Sequence, residues 1–344
     1  MEDRTEASGT ASSDTVASSA RTWFGRRTSH WQDWPADQLL AAKERLGVTI
    51  SVVIPARNEQ RTVAGVVSSL ARAFVQRLPL VDELIVMDSD STDATGTVAA
   101  DAGAVVYRTS EVAPATGSFP GKGEALWKSL HVTKGDLLVF VDADLTSWGP
   151  HFVSGLLGPL LTDEQVLLVK GFYTRVRTES DGSTSTEGGR VTELVARPLI
   201  SLWWPELAAV VQPLAGEWAA RRRLMESLPI PVGYGVELAT LMDTVSGHGL
   251  DAVAQVDLGS RAHRHQANHD LALMAAELLM VAERRRAGRR LAAGPVGPAP
   301  AAHRAEPAAA ATAELFQFAR DADGEARQIS RPVPVAERPP AGPR

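Results

Sequence analysis

The sequence predicts an α/β fold, a parallel sheet covered by helices on both faces, and three observations predict it. Short β-branched and aliphatic runs alternate with helical segments from residue 50 to residue 141. The runs are apolar throughout rather than at every second position, the pattern of strands buried on both sides. Polar and acidic clusters follow the runs, as expected where the carboxyl ends of parallel strands open on a ligand crevice.

Taken in order, residues 1–20 are rich in Ser, Thr, Ala and Glu, with few large apolar side chains, and are expected to be disordered. Trp23, Phe24, Trp31 and Trp34 are dense enough to dock on a core. Asp33 is placed to cap a helix from Pro35 to Leu46. Ile50 to Ile54 reads as the first strand and Gln60 to Phe74 as a helix; Glu83 to Met87, then Asp93 to Ala102, repeat the pair. Ala104 to Tyr107 is a third strand, Gly123 to Thr133 a helix and Asp136 to Val141 a fourth strand. Beyond residue 145 the alternation weakens. Pro150 to Leu161, Arg190 to Trp203, Glu217 to Ser227, Gly235 to His248 and His269 to Arg286 read as helices, and Val166 to Tyr173 and Ala252 to Leu258 as strands. Residues 179–189 are Gly/Ser/Thr-rich and predict a loop. The organisation expected is a tail (1–20), a regularly alternating half (21–145), a second half in which the alternation weakens (146–286), and an Ala/Pro-rich linker and C-terminal arm (287–344).

A chain of 344 residues, 44% hydrophobic and 22% charged, can bury a sizeable core. Its formal net charge of -6 argues against a nucleic-acid binder. With no cysteine, disulfides, thiolate catalysis and zinc–thiolate sites are excluded. No apolar run approaches the roughly 18 residues of a membrane helix, and the N-terminus lacks the apolar core of a signal peptide. The expectation is a cytoplasmic protein with no membrane partner.

The sharpest motif is Asp142-Ala143-Asp144, directly after an apolar strand. Residues two apart in an extended chain point the same way, so both carboxylates would face one ligand. Hard oxygens suit Mg²⁺ or Mn²⁺ bridging a diphosphate; alternatively Asp144 caps the next helix. Pro55-Ala56-Arg57-Asn58-Glu59 follows the first strand and Asp88-Ser89-Asp90-Ser91-Thr92-Asp93 the second, where Ser91 or Thr92 can equally cap a helix. Gly121-Lys122-Gly123 opens a helix, and Lys122 between two glycines is free to approach a phosphate, or stands as a surface lysine. Gly188-Gly189-Arg190 also precedes a helix, so main-chain N–H groups, the Arg190 fork and the Thr192 hydroxyl can converge on an anion. His263 stands between Arg261 and Arg264, cations that disfavour imidazolium and suit a neutral metal ligand. Glu237 follows the Gly-Tyr-Gly turn at a helix start, where it can also simply complement the helix dipole.

These strings, in this order, resemble a family-2-like GT-A glycosyltransferase. Pro120-Gly-Lys-Gly-Glu-Ala-Leu-Trp127, Gly188-Gly-Arg-Val-Thr-Glu-Leu-Val-Ala-Arg-Pro198, Gly233-Tyr-Gly-Val-Glu237 and Arg261-Ala-His-Arg264 narrow the resemblance to the glucosyl-3-phosphoglycerate synthase family, over roughly residues 20 to 285. The resemblance implies a GT-A-type, Rossmann-like nucleotide-sugar sheet with a C-terminal acceptor-binding α/β region. It implies retaining transfer of glucose from UDP-glucose, or GDP-glucose, to the 2-hydroxyl of 3-phosphoglycerate with Mg²⁺, by a homodimer. By the same resemblance, Pro55, Ala56, Glu59, Ser89 and Lys122 contact the nucleotide, and Asp142 lies near the ribose. Asp144 and His263 hold the metal. Gly189, Arg190 and Thr192 take the acceptor phosphate, and Leu214, Tyr234 and Glu237 surround the donor sugar. Catalysis is then expected from Asp144, Arg190 and Glu237, the last in a positioning rather than a covalent role.

The chain departs from the family pattern at His265, Gln266 and Ala267, at Arg57 for an apolar residue, at Asp90 for a glycine and at Trp218 for a tyrosine. Alternatives are mannosyl transfer to the same acceptor, a general family-2 transferase, a non-catalytic nucleotide-sugar binder and a nucleotidylyltransferase. The general transferase would act on a lipid phosphate or polysaccharide, yet the Gln-x-x-Arg-Trp string of processive synthases and a membrane helix are missing. Intact Asp144 and Lys122 oppose the binder. The nucleotidylyltransferase needs a Gly-rich loop that Pro55 to Glu59 does not form.

Overall fold

The computed structural model describes residues 13–178, 184–185, 189–262, 268–292, 312–320 and 326–343. In chain order the elements are α1 (Ser13–Arg27), β1 (Thr28–His30), α2 (Ala36–Leu46), β2 (Ile50–Ala56), α3 (Val63–Leu70), β3 (Glu83–Asp88), α4 (Thr95–Asp101), β4 (Val105–Arg108), α5 (Lys122–Ser129), β5 (Leu137–Phe140) and α6 (His151–Thr162). There follow β6 (Leu168–Thr178), β7 (Thr184–Ser185), α7 (Arg197–Trp203), β8 (Trp218–Arg221), α8 (Arg222–Ser227), β9 (Ile230–Pro231), α9 (Val236–His248), β10 (Val253–Ala262), α10 (Asn268–Ala292), β11 (Thr312–Arg320), β12 (Ala326–Pro334) and β13 (Glu337–Arg338).

Among the described residues, nine strands form one sheet in the order β1-β10-β6-β8-β5-β2-β3-β4, with β7 paired to β6. Apolar runs are needed on both sides because both faces are covered. Ile50, Val52 and Ile54 of β2, with Leu137 and Val139 of β5, pack under α2, α3, α4 and α6. Val53, Leu138 and Phe140 point the other way, onto α5, α8, α9 and α10, where Trp23 of α1 also docks. The parallel group β5-β2-β3-β4 is the one the alternating pattern predicts. No helix among the described residues is long and apolar enough to cross a membrane.

Several expectations are corrected. The sheet is mixed: β8, expected as the start of a helix at Glu217, runs antiparallel to both β5 and β6. Trp-Ala-Ala-Arg has no strong strand preference, but Ala219 and Ala220 are fully buried between larger neighbours, and tertiary context overrides propensity. The strand carries the sheet across residue 145, so the two expected halves share one sheet. Asp33 does not cap α2; its carboxylate accepts the His30 N–H at 2.8 Å, and the helix starts behind Pro35 without a side-chain cap. The helix expected from Gln60 starts at Val63, after a turn in which the Thr62 and Val63 N–H groups both donate to the Glu59 carbonyl, and it widens to a π-type helix over Ala71–Arg77. Residues 13–20, expected to be disordered, belong to α1, and residues 287–292, assigned to the linker, continue α10. The C-terminal arm contains a hairpin, β11–β12, and β13 pairs with β9. The loop expected at 179–189 lies mostly outside the described residues.

Candidate functional site

The carboxyl ends of β2 and β3 carry two loops tied to each other. The Ser89 N–H donates to the Ala56 carbonyl at 2.8 Å, the Asn58 N–H to Ser91 Oγ at 2.9 Å, and the Thr92 N–H to Asn58 Oδ1 at 2.9 Å. The Glu59 N–H donates to Thr95 Oγ1 at 2.8 Å, and the Glu59 carboxylate accepts the Thr62 hydroxyl at 2.9 Å. Pro55, Ala56, Glu59 and Ser89 are therefore brought to one rim. Ser91 and Thr92 cap no helix here; Asp93 accepts the Thr95 N–H in that place. Asp90 sits at φ 55°, a left-handed conformation that favours glycine, which explains why a glycine in the family pattern stands at this position.

The strand β5 leads into Asp142 and Asp144, and four further charged residues converge on them. Lys122, at the start of α5, donates from Nζ to Asp142 Oδ1 at 2.6 Å and pairs with Glu237 Oε1, at the start of α9, at 2.7 Å. Arg261, from β10, donates to Asp144 Oδ1 at 3.0 Å and to Glu217 Oε1 at 2.7 Å, and lies 3.8 Å from Asp142 Oδ2. Asp142 and Asp144 thus do face one side. Burial disfavours the Lys122 ammonium, but the Asp142 and Glu237 carboxylates outweigh it and hold its pKa above the usual lysine value. Burial, with the Asp142 charge, pushes Asp144 upward against the pull of Arg261 and Lys122. Glu217, fully buried, is pushed up by desolvation although Arg261 opposes it.

The expectation that Lys122 is free is corrected: it is clamped between two carboxylates, and its flanking glycines serve close packing. Gly121 sits at φ 133°, and a Cβ at Gly121 or Gly123 would collide with the Val232 or Pro231 carbonyl. The first N–H groups of α5 are turned to the same segment, Gly123 to Gly233 and Glu124 to Val232 at 3.2 and 2.9 Å, rather than to solvent. Gly216 is similarly constrained, since a Cβ there would collide with the Asp142 carboxylate. Gly216→Ala is expected to lower kcat/KM by about tenfold or more while leaving the melting temperature nearly unchanged, because a misplaced reacting group costs far more in rate than in stability. Wild-type kinetics for this variant would contradict the placement of Asp142.

Glu217, Tyr173 and Lys170 were not singled out by their sequence context. Arg261 is more than a cation beside His263: the residue is 3% exposed, and its guanidinium donates to Glu217, Asp144 and the Tyr173 hydroxyl. Lys170 is buried under the Trp218 ring, 5.6 Å from its centroid, and donates to the Ala215 carbonyl at 2.7 Å, which pins the 214–217 segment. Burial pulls its pKa from 10.5 to about 8. Between those values the unfolded chain binds the proton that the folded chain has lost, so this group makes stability rise with pH in that window. Lys170→Met should flatten that rise relative to wild type, as read from urea midpoints between pH 8 and 10.5. Parallel profiles for the two proteins would contradict it.

Of the remaining candidates, Leu214 is half-buried beside the core and Tyr234 is 46% exposed, its N–H donating to Glu277 Oε2 at 2.5 Å. Burial moves Glu277 up to about 7. Gly189, Arg190 and Thr192 stand at the start of the helical stretch that runs into α7, with Thr192 buried. His263, together with Arg264 and the departures at residues 265–267, lies outside the described residues, directly after the end of β10. Among the described residues, no three His, Asp or Glu groups could by themselves hold a metal. Asp142 and Asp144 still fit one: two hard-oxygen donors face one side, and their mutual repulsion is relieved by a dication.

Residues 51–208 match the family model described as Glycosyl transferase family 2. The chain is 50% identical over 255 residues to a glucosyl-3-phosphoglycerate synthase of Mycobacterium tuberculosis, covering 73% of this chain and 77% of the relative. A crystal structure of the Mycobacterium tuberculosis enzyme with Mn²⁺, uridine diphosphate and phosphoglyceric acid superposes with a TM-score of 0.76 at 42% identity, covering 92% of this chain and 97% of that one. A second, with Mn²⁺ and UDP-glucose, gives 0.73 at 42% identity, covering 90% and 94%. With the tied loops, the acid pair and the clamped lysine at one sheet edge, and with half of the aligned residues shared, this chain belongs to the glucosyl-3-phosphoglycerate synthase family of GT-A-type glycosyltransferases.

Proposed function

We infer that this chain transfers the glucosyl group of UDP-glucose to a hydroxyl of 3-phosphoglycerate, forming glucosyl-3-phosphoglycerate and UDP. The observation that carries the reading is the cluster Lys122–Asp142–Glu237 beside Asp144–Arg261–Glu217, charged groups held at the carboxyl edge of a buried sheet. The solved relatives hold Mn²⁺ with UDP-glucose, or with UDP and phosphoglyceric acid. Asp144 would hold Mg²⁺ or Mn²⁺ here, with Asp142 beside it and His263 as the further ligand that the resemblance implies. A bound dication supplies charge neutralisation to the leaving diphosphate.

The chain's own groups do the rest. Arg261, braced by Glu217, fixes the Asp144 rotamer. Lys122 fixes Asp142 and Glu237 and prevents their repulsion. Gly189, Arg190 and Thr192 offer N–H groups, a guanidinium and a hydroxyl to the acceptor phosphate, orienting its 2-hydroxyl. Tyr234 and Leu214 border the sugar. Glu237, already engaged by the Lys122 ammonium, is weakened as a nucleophile, which supports a positioning role and front-face transfer with retention. The same reading includes a homodimer acting in the cytoplasm, supported by the family resemblance.

Incubation with UDP-glucose, Mg²⁺ and 3-phosphoglycerate should yield a phosphorylated glucoside whose mass and α-anomeric linkage are read by mass spectrometry and NMR. UDP release without that product would refute the acceptor. A preference for GDP-glucose or GDP-mannose in competition would move the donor assignment accordingly.

A further inference from the structure

The C-terminal arm reaches the loop that carries Lys122. Arg338, on β13, is 6% exposed, and its guanidinium donates to both carboxylate oxygens of Glu124, at 2.7 and 2.6 Å. Glu124 is fully buried and lies two residues after Lys122 on α5. The same guanidinium donates to the Thr116 carbonyl at 2.7 Å and the Gly117 carbonyl at 3.1 Å, in the stretch that leads to Gly121. It is packed between the rings of Phe119 and Trp127, 4.6 and 4.9 Å from their centroids. The arm around it is anchored independently. Trp127 Nε1–H donates to the Pro339 carbonyl at 2.8 Å, Arg285 donates to Glu337 at 2.8 Å, and the Val232 N–H donates to the Ala336 carbonyl at 3.1 Å.

A buried carboxylate in the first turn of α5 would repel the Asp142 and Glu237 charges and a diphosphate if it stood alone. Arg338 neutralises it together with Lys128, whose Nζ lies 3.5 Å from Glu124 Oε1, and with its planar guanidinium closes the 116–119 segment against the helix. Lysine cannot span two carboxylate oxygens and two carbonyls at once. We propose that Arg338 is a positioning residue for donor binding: through Glu124 and the 116–117 carbonyls it sets the start of α5 and hence Lys122. This rests on the donor site assigned above, and it gives the C-terminal arm a part in catalysis that its Pro-rich sequence does not suggest.

The full chain is compared with Arg338→Lys and Arg338→Gln, so that one soluble variant suffices. The first readout is amide hydrogen exchange, which needs no turnover: exchange over residues 116–123 should accelerate about tenfold or more, with β2 and β3 unchanged. The second is steady-state kinetics: KM for UDP-glucose should rise about tenfold while KM for 3-phosphoglycerate and kcat stay within about threefold. Unchanged exchange over 116–123, or a lowered melting temperature with both KM values at wild-type level, overturns the proposal. If the wild-type protein makes no glucoside, the functional reading fails, and the exchange result alone still decides whether Arg338 orders this loop.

Discussion

Asp144→Asn is expected to lower kcat/KM by about 10²–10³-fold, because a metal-type electrostatic contribution of roughly 3–4 kcal/mol is at stake and each 1.4 kcal/mol is tenfold. Asparagine keeps the shape and can still accept from Arg261 at the position now held at 3.0 Å. It removes the negative charge that a dication needs. The cost to folding should be small, since the Asp144 side chain is 33% exposed and Arg261 keeps its Glu217 partner at 2.7 Å. The loss should therefore appear in turnover and in the Mg²⁺ concentration required, with the melting temperature close to wild type. A variant retaining more than about a tenth of wild-type kcat/KM would contradict the role given to Asp144.

Lys122→Met is expected to cost both activity and about 3–5 kcal/mol of stability, the range for breaking a buried ion pair by removing one partner. It removes the cation that bridges the Asp142 and Glu237 carboxylates, whose side chains are 26% and 6% exposed, and leaves Arg261, 3.8 Å from Asp142 Oδ2, as a more distant counter-charge. Protonation relieves a repulsion that the folded variant holds and the unfolded chain does not, so the destabilisation is greatest where both carboxylates are ionised. The deficit against wild type should be larger at pH 8 than at pH 5 in urea midpoints. An equal deficit at both pH values would mean that lost packing, rather than uncompensated charge, accounts for the effect.

Much of this was legible in the residues themselves. Ile50 to Ile54 and Leu137 to Val141 announced doubly covered strands because their apolar residues run consecutively, with Ser51 the one polar side chain, rather than at every second position, and Asp142-Ala143-Asp144 announced a paired carboxylate edge because the spacing fixes the side. β8 was not legible: Trp-Ala-Ala-Arg becomes a strand through β5 and β6 on either side of it. Lys122 reads as free in the sequence because its partners Asp142 and Glu237 come from other elements, and no local spacing links Lys122 to a carboxylate at the start of α9. Glu217 looked like an ordinary helix-start acid, and its burial against Arg261 exists only once β10 has joined the sheet. Arg338 lay hidden in a Pro-rich tail for the same reason.

The acid pair after β5, with Lys122 and Arg261, is expected to form a dication-dependent diphosphate site. Calorimetric titration with UDP tests it most directly, on wild type with Mg²⁺, on wild type with EDTA, and on Asp144→Asn with Mg²⁺. Binding is expected in the first, with affinity lower by about tenfold or more in the other two. Equal affinity in all three would contradict it.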